Sequence, residues 1–396
     1  MKTRAAIILI LLLSPSLLFA AGYQTVGTDV QAMGQGDTGI ATPNAPGNAY
    51  RNPAAAVVSP GLRGSLGVIG AYSRLRAEGG EQNTSTLPSP SAPPNLHLSF
   101  ANDHIGAGGS LSVPFGTSSK WPLDWEQRFL IQQSSLTSLR TTLFVAAKWG
   151  PLSVAAGPML DRTSLSLKRA IDFIDEEGGV TIDTHTLGYG GHAALYLQLT
   201  PKLSIGAAWH SSVSMELKGE AEFEVPPEFY SRAASGSVVV PLTLPAQGRL
   251  GLRWVPVSSV ELSIEVEGTQ WAVVENFVVD FDDEDVSDLS KPRQWTSTIT
   301  PRVGISFAPL QTLTLRGGLY FDPSPVPPDT TGPDTPDSAR VGLALGCGVQ
   351  ATSSLQWNLG YQYVHFTGST TPSTAPVPLT FQGNAHLLGV SISMSL

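Results

Sequence analysis

The chain has 396 residues, of which only 14 % are charged, against roughly 25 % in average soluble proteins, and its mean hydropathy is close to neutral at +0.06. A bundle of membrane-spanning helices would be far more apolar and a cytosolic enzyme more charged, whereas a sheet with one greasy and one polar face averages to this value. A net charge of −9 leaves no basic footprint for nucleic acid, and the single cysteine, Cys347, rules out an intrachain disulfide framework or a thiolate metal cluster.

The first element is a secretory signal. Lys2 and Arg4 precede a short apolar run at residues 5–13, too short to span a bilayer. Ser14, Pro15 and Ser16 break the run, and Phe19-Ala20-Ala21-Gly22 offers small residues for cleavage. Residues 1–20 are therefore expected to be removed, leaving Ala21 as the mature start. Beyond them no run of 18 apolar residues follows, so the exported chain has no spanning helix.

Residues 21–60 form a second unit, rich in Gly, Ala, Asn and Pro and without a sustained period of two. Such a stretch cannot be a lipid-facing strand, and inside a wide barrel it is the natural plug. Gly34-Gln35-Gly36-Asp37-Thr38-Gly39 matches a dinucleotide fingerprint only on paper, because no strand–helix context surrounds it. Its glycines read as backbone freedom in a compact plug.

From residue 61 to residue 396 the chain is written in period two. Leu388, Val390, Ile392, Met394 and Leu396 alternate with Gly389, Ser391, Ser393 and Ser395. Leu343, Leu345, Cys347 and Val349 alternate with Ala344, Gly346 and Gly348. Successive side chains of a strand face opposite ways, so these strands separate two different solvents. About 14 such segments follow one another, an even number, and several have the ~9–11 residues that a tilted strand needs to cross a bilayer. Trp149, Trp209, Trp254 and Trp357 sit in or at the ends of strands, as interfacial girdles do. Short connections alternate with long ones at residues 78–94, 168–180, 218–238, 280–293, 322–338 and 368–381. That alternation fits periplasmic turns and external loops. The expected fold is all-β: a 14-stranded antiparallel transmembrane barrel in the outer membrane, residues 61–396, with an N-terminal hatch plugging its lumen.

Little in the chain looks like catalysis. The seven histidines show no metal-ligand spacing, and there is no G-x-S-x-G elbow. No cofactor or metal is expected, and the chain reads as a non-enzyme. A hydrolase whose Ser and His meet only in space at the barrel rim stays open as an alternative. The acidic loop with Asp280, Asp282, Asp283, Glu284, Asp285 and Asp288 lacks the glycine an EF-hand requires; it is a solvated loop or a divalent-ion bridge to lipopolysaccharide. Two loops carry exposed-looking apolar residues, Trp121, Trp125, Phe129, Leu130 and Ile131 in one and Ile171, Phe173 and Ile174 in the next. They form either a binding surface or a loop core packed on itself.

Several runs resemble one family in order and spacing. Gly22-Tyr23-Gln24 followed by Asn52-Pro53-Ala54 looks like the N-terminal hatch of the FadL family of outer-membrane transporters. Val113-Pro114-Phe115-Gly116, then Trp121-Pro122-Leu123-Asp124-Trp125 and Arg128, is similar to the family's segment after the third strand. Residues 202–209 match another family run, and Phe321-Asp322-Pro323-Ser324-Pro325 leading to Pro336-Asp337-Ser338-Ala339-Arg340 is the most specific match.

The resemblance covers nearly the whole mature chain. It implies passive uptake of hydrophobic small molecules such as long-chain fatty acids, with aromatic hydrocarbons as the alternative cargo. A plugged structural or adhesive barrel without transport is the competing reading. It assigns hatch movement to Ala21, Gly22 and Tyr23 and to Asn52, Pro53 and Ala54. An external capture groove falls at Trp121, Trp125, Phe129, Leu130 and Phe173. A kink in the third strand, residues 104–115, is expected at Gly106, Gly108 and Gly109, with lateral release there. A carboxylate ligand would need a cation, for which Arg51, Arg63, Arg128 and Arg316 are available. The expected partners are the ligand, outer-membrane lipid and lipopolysaccharide, and the expected state is a monomer.

Overall fold

The computed structural model describes residues 22–80, 83–173, 176–229, 235–282, 287–372 and 377–396. The signal-peptide expectation and Ala21 lie outside the described residues, as do Ile174 and Asp283, Glu284 and Asp285 of the acidic loop.

The apolar rows face outward. In the last strand Leu388 and Val390 are exposed, while Leu387, Ser391 and Ser393 are buried. In residues 340–350, Leu343 and Leu345 are exposed at 53 % and 66 % while Ala344 between them is buried. A water-soluble sheet would reverse this arrangement; the lipid-facing wall of a barrel requires it. Cys347 lies on the outward row between Leu345 and Val349.

The wall has fourteen antiparallel strands. They are β1 (Gly61–Glu78), β2 (Pro94–Ala101), β3 (Ile105–Lys120), β4 (Gln133–Trp149), β5 (Leu152–Asp172) and β6 (Glu177–Thr200). Next come β7 (Leu203–His210 and Val213–Glu224), β8 (Gly236–Leu244 and Gln247–Val257), β9 (Val260–Thr269 and Asn276–Phe281) and β10 (Leu289–Pro292 and Thr298–Leu310). The wall ends with β11 (Leu313–Asp322), β12 (Arg340–Gln350), β13 (Leu355–Thr370) and β14 (Thr380–Ser395). The sheet closes where β14 pairs with β1, from Arg63 opposite Ser395 to Glu78 opposite Thr380. Closure leaves neither terminal strand with a free edge toward lipid, where an unpaired backbone group costs several kcal/mol.

Short turns gather at one end, and Trp149, Trp254 and Trp357 stand exposed beside three of them. At the other end, the expected loop over residues 168–180 is mostly strand. β5 and β6 stay in register up to Asp172 opposite Glu177, so this hairpin projects beyond the membrane as a paired ribbon.

Residues 22–58 lie inside the barrel, against inward-facing positions of the wall. They hold three four-residue helices, α1 (Val30–Met33), α2 (Asn48–Arg51) and α3 (Pro53–Ala56). Helices this short need tertiary support. α1 is capped by Asp29, whose carboxylate accepts from the Ala32 amide at 2.8 Å. α3 is capped by Asn52 with Pro53 at its first position. The segment touches the wall where inward positions are glycine. A Cβ on Gly346 would stand 2.9 Å from the Gly34 Cα, and one on Gly318 would stand 2.4 Å from the Gln35 carbonyl.

Candidate functional site

Toward the external end, above the lumenal segment, lies an apolar cavity of about 380 Å³. Leu136 of β4, Leu165 of β5, Ile182 of β6, Leu242 of β8 and Phe277 of β9 form its sides. Tyr23 and Trp295 line it as well. Tyr23 packs on Trp295 at 4.8 Å between ring centroids and edge-on to Trp271 at 5.9 Å. Trp295 and Trp271 are both buried, and neither indole N–H has a hydrogen-bond partner among the described residues.

Cations also line the cavity. Lys168 and Arg169 come from β5, and Lys291 and Arg293 lie along β10. Lys291 Nζ and Arg293 Nη2 approach Asp334 Oδ2 at 2.9 and 2.7 Å. Burial alone would raise the Asp334 pKa, but Arg293 and Lys291 more than offset it and hold the carboxyl at about 2. Lys168 and Arg169 make no ion pair among the described residues.

The lumenal segment begins at the cavity. Gly22 has φ +61°, and a Cβ there would meet Trp271 and Trp295 at 2.8 Å, so this position takes only glycine without strain. Asn52 ties the other half of the segment to the wall: its Nδ2 donates to the Leu195 carbonyl of β6 at 3.0 Å and to Ile40 O at 2.9 Å. Pro53 and Ala54 are buried in α3. The Asn-Pro-Ala run thus combines a helix cap, a preset first turn and a side chain small enough for the wall.

β3 departs from its neighbour. Its ladder with β2 ends at Leu96 opposite Leu111, and its register with β4 shifts by one residue between Ser112 and Phe115. Pro114 has no N–H for the ladder. Beyond that point β3 pairs inward: Gly116 N donates to Tyr23 O at 2.6 Å and Thr25 N to Pro114 O at 2.9 Å. This moves the expected kink. Gly106, Gly108 and Gly109 all sit in regular register with β2 and β4. They are small because of contact: a Cβ on Gly106 would meet Val57 at 2.6 Å, one on Gly108 the Leu98 carbonyl and the Phe144 ring, and one on Gly109 the Thr142 carbonyl. The irregularity is a one-residue β-bulge at Val113–Pro114.

The apolar loop resolves differently from an exposed groove. Trp121 and Trp125 are buried and stack at 4.4 Å with 7° between planes. Their indoles donate to Pro333 O and Ile131 O. They are a loop core, because each ring finds its apolar partner in the other. Phe129 lies under the Arg128 guanidinium, and Phe173 packs near Gly178. Of the five residues assigned to the groove, Leu130 alone lines the cavity. The four arginines considered for a carboxylate are also elsewhere. Arg51 pairs with Glu265 in the lumen, Arg128 pairs with Glu177, Arg63 sits at the short-turn end, and Arg316 faces Asn358.

Sequence reading missed the charge ladder beneath the cavity. Arg51, Glu265, Arg249, Glu267 and Arg302 follow one another at 3.2, 3.3, 2.9 and 2.7 Å, and Gln24 Nε2 donates to Glu267 at 2.9 Å. Its signal was present: glutamates at alternate positions 265 and 267, on the inward row of β9, opposite arginines of β8 and β10.

A family model described as outer membrane protein transport protein (OMPP1/FadL/TodX) matches residues 11–396. Outer membrane protein P1 of Haemophilus influenzae is 22 % identical over 374 residues, covering 83 % of this chain and 80 % of that protein. The 47 kDa outer membrane protein of Pasteurella multocida is 21 % identical over 318 residues, covering 74 % of each. The fold is similar to that of a Pseudomonas aeruginosa FadL homologue, at TM-score 0.86 and 18 % identity over 94 % of this chain and 99 % of that one. It is also similar to that of the Pseudomonas putida toluene transporter TodX, at TM-score 0.76 and 17 % identity over 96 % and 99 %. The chain belongs to the OMPP1/FadL/TodX family, whose members are outer-membrane barrels that transport hydrophobic compounds.

Proposed function

We propose that this barrel takes up long-chain fatty acids or similar amphipathic molecules passively, through the external cavity. The observation that carries the reading is the pairing of an apolar cavity with cations. A cavity of about 380 Å³ lies in the size range of ~300–1,000 Å³ typical of ligand sites. Lys168 and Arg169 line it without a carboxylate partner among the described residues, ready to receive an anionic head, while the alkyl chain lies against Leu136, Leu165 and Ile182.

Release follows from what holds Gly22 and Tyr23. Ligand pressing on Tyr23 breaks the Gly116 N–H to Tyr23 O bond and, with it, the Thr25 N–H to Pro114 O bond, freeing the inward half of β3 and a passage beside β2 into the membrane. Residues 22–58 then act as the hatch of residues 61–396. Direction comes from consumption of the ligand inside the cell.

Tyr23, Trp295 and Phe277 favour a second cargo, since together they offer aromatic faces to a toluene-sized ring. Uptake of radiolabelled oleate and of toluene by cells with and without the gene tests both. Oleate uptake that depends on the gene, and that falls at least fivefold in Lys168→Gln/Arg169→Gln, supports the first cargo. Toluene uptake unaffected by that double substitution supports the second. No gene-dependent uptake of either solute would sink the transport reading.

A further inference from the structure

A break crosses the wall on the side away from β3. β7, β8, β9 and β10 are all interrupted at one level, between His210 and Val213, Leu244 and Gln247, Thr269 and Asn276, and Pro292 and Thr298. Between β8 and β9 it opens. Their lower parts pair from Val257–Val260 up to Gln247 opposite Thr269, and their upper parts touch only at Val238–Phe281 and Val239–Asp280. Above the Gln270 N–H to Ala246 O bond at 2.9 Å, among the described residues no ladder pair joins 240–245 to 271–279. An opening of about 770 Å³ occupies this gap.

Its rim and its floor differ in chemistry. Outside stand Ser214, Glu216, Lys218, Pro241 and Glu275, all exposed. Directly below them the outward row is apolar: Trp209, Leu250, Val266 and Ile264 are exposed. The gap therefore sits at the external edge of the apolar band, where a barrel meets lipid headgroups. Inside, Tyr23, Leu242 and Phe277 line both this opening and the apolar cavity, forming a three-residue septum between them.

We infer that the gap between β8 and β9 is a second lateral port, through which amphipathic hydrophobic molecules dissolved in the outer face of the membrane reach the cavity. The inference rests on the proposed ligand pocket. The apolar part of such a molecule passes between Leu242 and Phe277, and its polar end stays at the rim among Glu216, Lys218 and Glu275. This path crosses the septum between Leu242 and Phe277 and leaves the backbone bonds of Tyr23 and Thr25 to β3 in place, so it is separate from release at β3.

The test uses the full barrel in lipid vesicles with N-phenyl-1-naphthylamine, whose fluorescence rises in apolar surroundings. Thr243→Trp and Asn276→Trp fill the gap from opposite edges without removing a septum residue, and Leu242→Ala opens the septum. Each variant is first checked for the heat-dependent gel mobility of a folded barrel. Filling from either edge is expected to slow probe exchange at least fivefold at unchanged equilibrium affinity, and Leu242→Ala to speed it. Unchanged exchange in both filled variants, with wild-type binding intact, overturns the port alone. If the wild-type barrel binds no probe, the pocket reading goes and the port goes with it.

Discussion

Gly22 donates its backbone amide to the Asp337 carboxylate at 3.3 Å, joining the start of the lumenal segment to the loop between β11 and β12, 315 residues away. Asp337 also accepts from Ser324 Oγ at 2.7 Å and from Arg340. The Phe-Asp-Pro-Ser-Pro and Pro-Asp-Ser-Ala-Arg runs are thus two sides of one clasp. Removing Asp337 takes one partner from the buried Arg340 and the acceptor from the Gly22 amide, at a cost of about 1–3 kcal/mol. Asp337→Ala is expected to lower the unfolding temperature in detergent and to expose the Tyr23–Trp295 cluster to iodide quenching. Asp337→Asn, which keeps an acceptor for Gly22, restores part of the protection. Equal quenching in all three proteins would show that the clasp does not hold the segment.

The bulge in β3 gives a sharper tool than its glycines. Register shifts by one residue between Ser112–Arg140 and Phe115–Ser138, so deleting Pro114 alone brings the two halves of the β3–β4 ladder into one register. Gene-dependent oleate uptake is then expected to fall at least fivefold while cavity binding persists. Enlarging Gly108 instead drives a side chain into Phe144 and the Leu98 carbonyl, so that variant is expected to lose folded barrel before it loses transport. Full uptake after deletion of Pro114 would argue against release at β3.

Asp334 makes the external loop acid-sensitive. Its folded pKa, about 2, lies below the ordinary carboxylate value near 3.8, so its contribution to stability is complete above about pH 4 and is lost as pH falls toward 2. Denaturant midpoints are expected to be flat with respect to Asp334 from pH 7 to 5 and to drop between about pH 4 and 2. In Asp334→Asn the midpoint is lower at neutral pH and that part of the acid drop disappears. An identical acid limb in both proteins would place the sensitivity on other carboxylates.

How much of this was legible depends on which environment selects the residue. Lipid acts on every outward position, so period two and fourteen strands could be read from rows such as Leu343, Leu345 and Val349. The lumenal segment could be read by its lack of that period. Its helices could not, because they are single turns held by distant partners such as the Leu195 carbonyl. Gly106, Gly108 and Gly109 suggested a kink, yet a glycine chosen for close contact looks the same in sequence as one chosen for bending. Trp121 and Trp125 stayed open between binding surface and loop core for a similar reason, since an apolar loop residue does not reveal whether a ligand or another ring covers it. The cavity cations come from strands more than 120 residues apart, Lys168 on β5 and Lys291 on β10, and only barrel closure brings them to one wall.

The lumenal segment's grip on the wall is ionic at Arg51. Its guanidinium donates to the carbonyls of Asp37 and Thr38, on its own segment, and to Glu265 of β9. Arg51→Ala leaves two carbonyls short of a donor but leaves Glu265 paired with Arg249 at 3.3 Å, so the barrel itself keeps its balance of charge. The expected cost is about 1–3 kcal/mol, all of it in docking of the segment. In planar bilayers the wild-type barrel is expected to conduct little, because residues 22–58 lie inside it. Arg51→Ala is then expected to show brief openings whose frequency rises with salt, as screening weakens the remaining contacts. Glu265→Gln strands Arg51 and leaves Arg249 with Glu267 alone, and is expected to open more often than Arg51→Ala. Silent traces from both variants would mean that apolar contacts of Met33, Ile40 and Val57 hold the segment without help from charge.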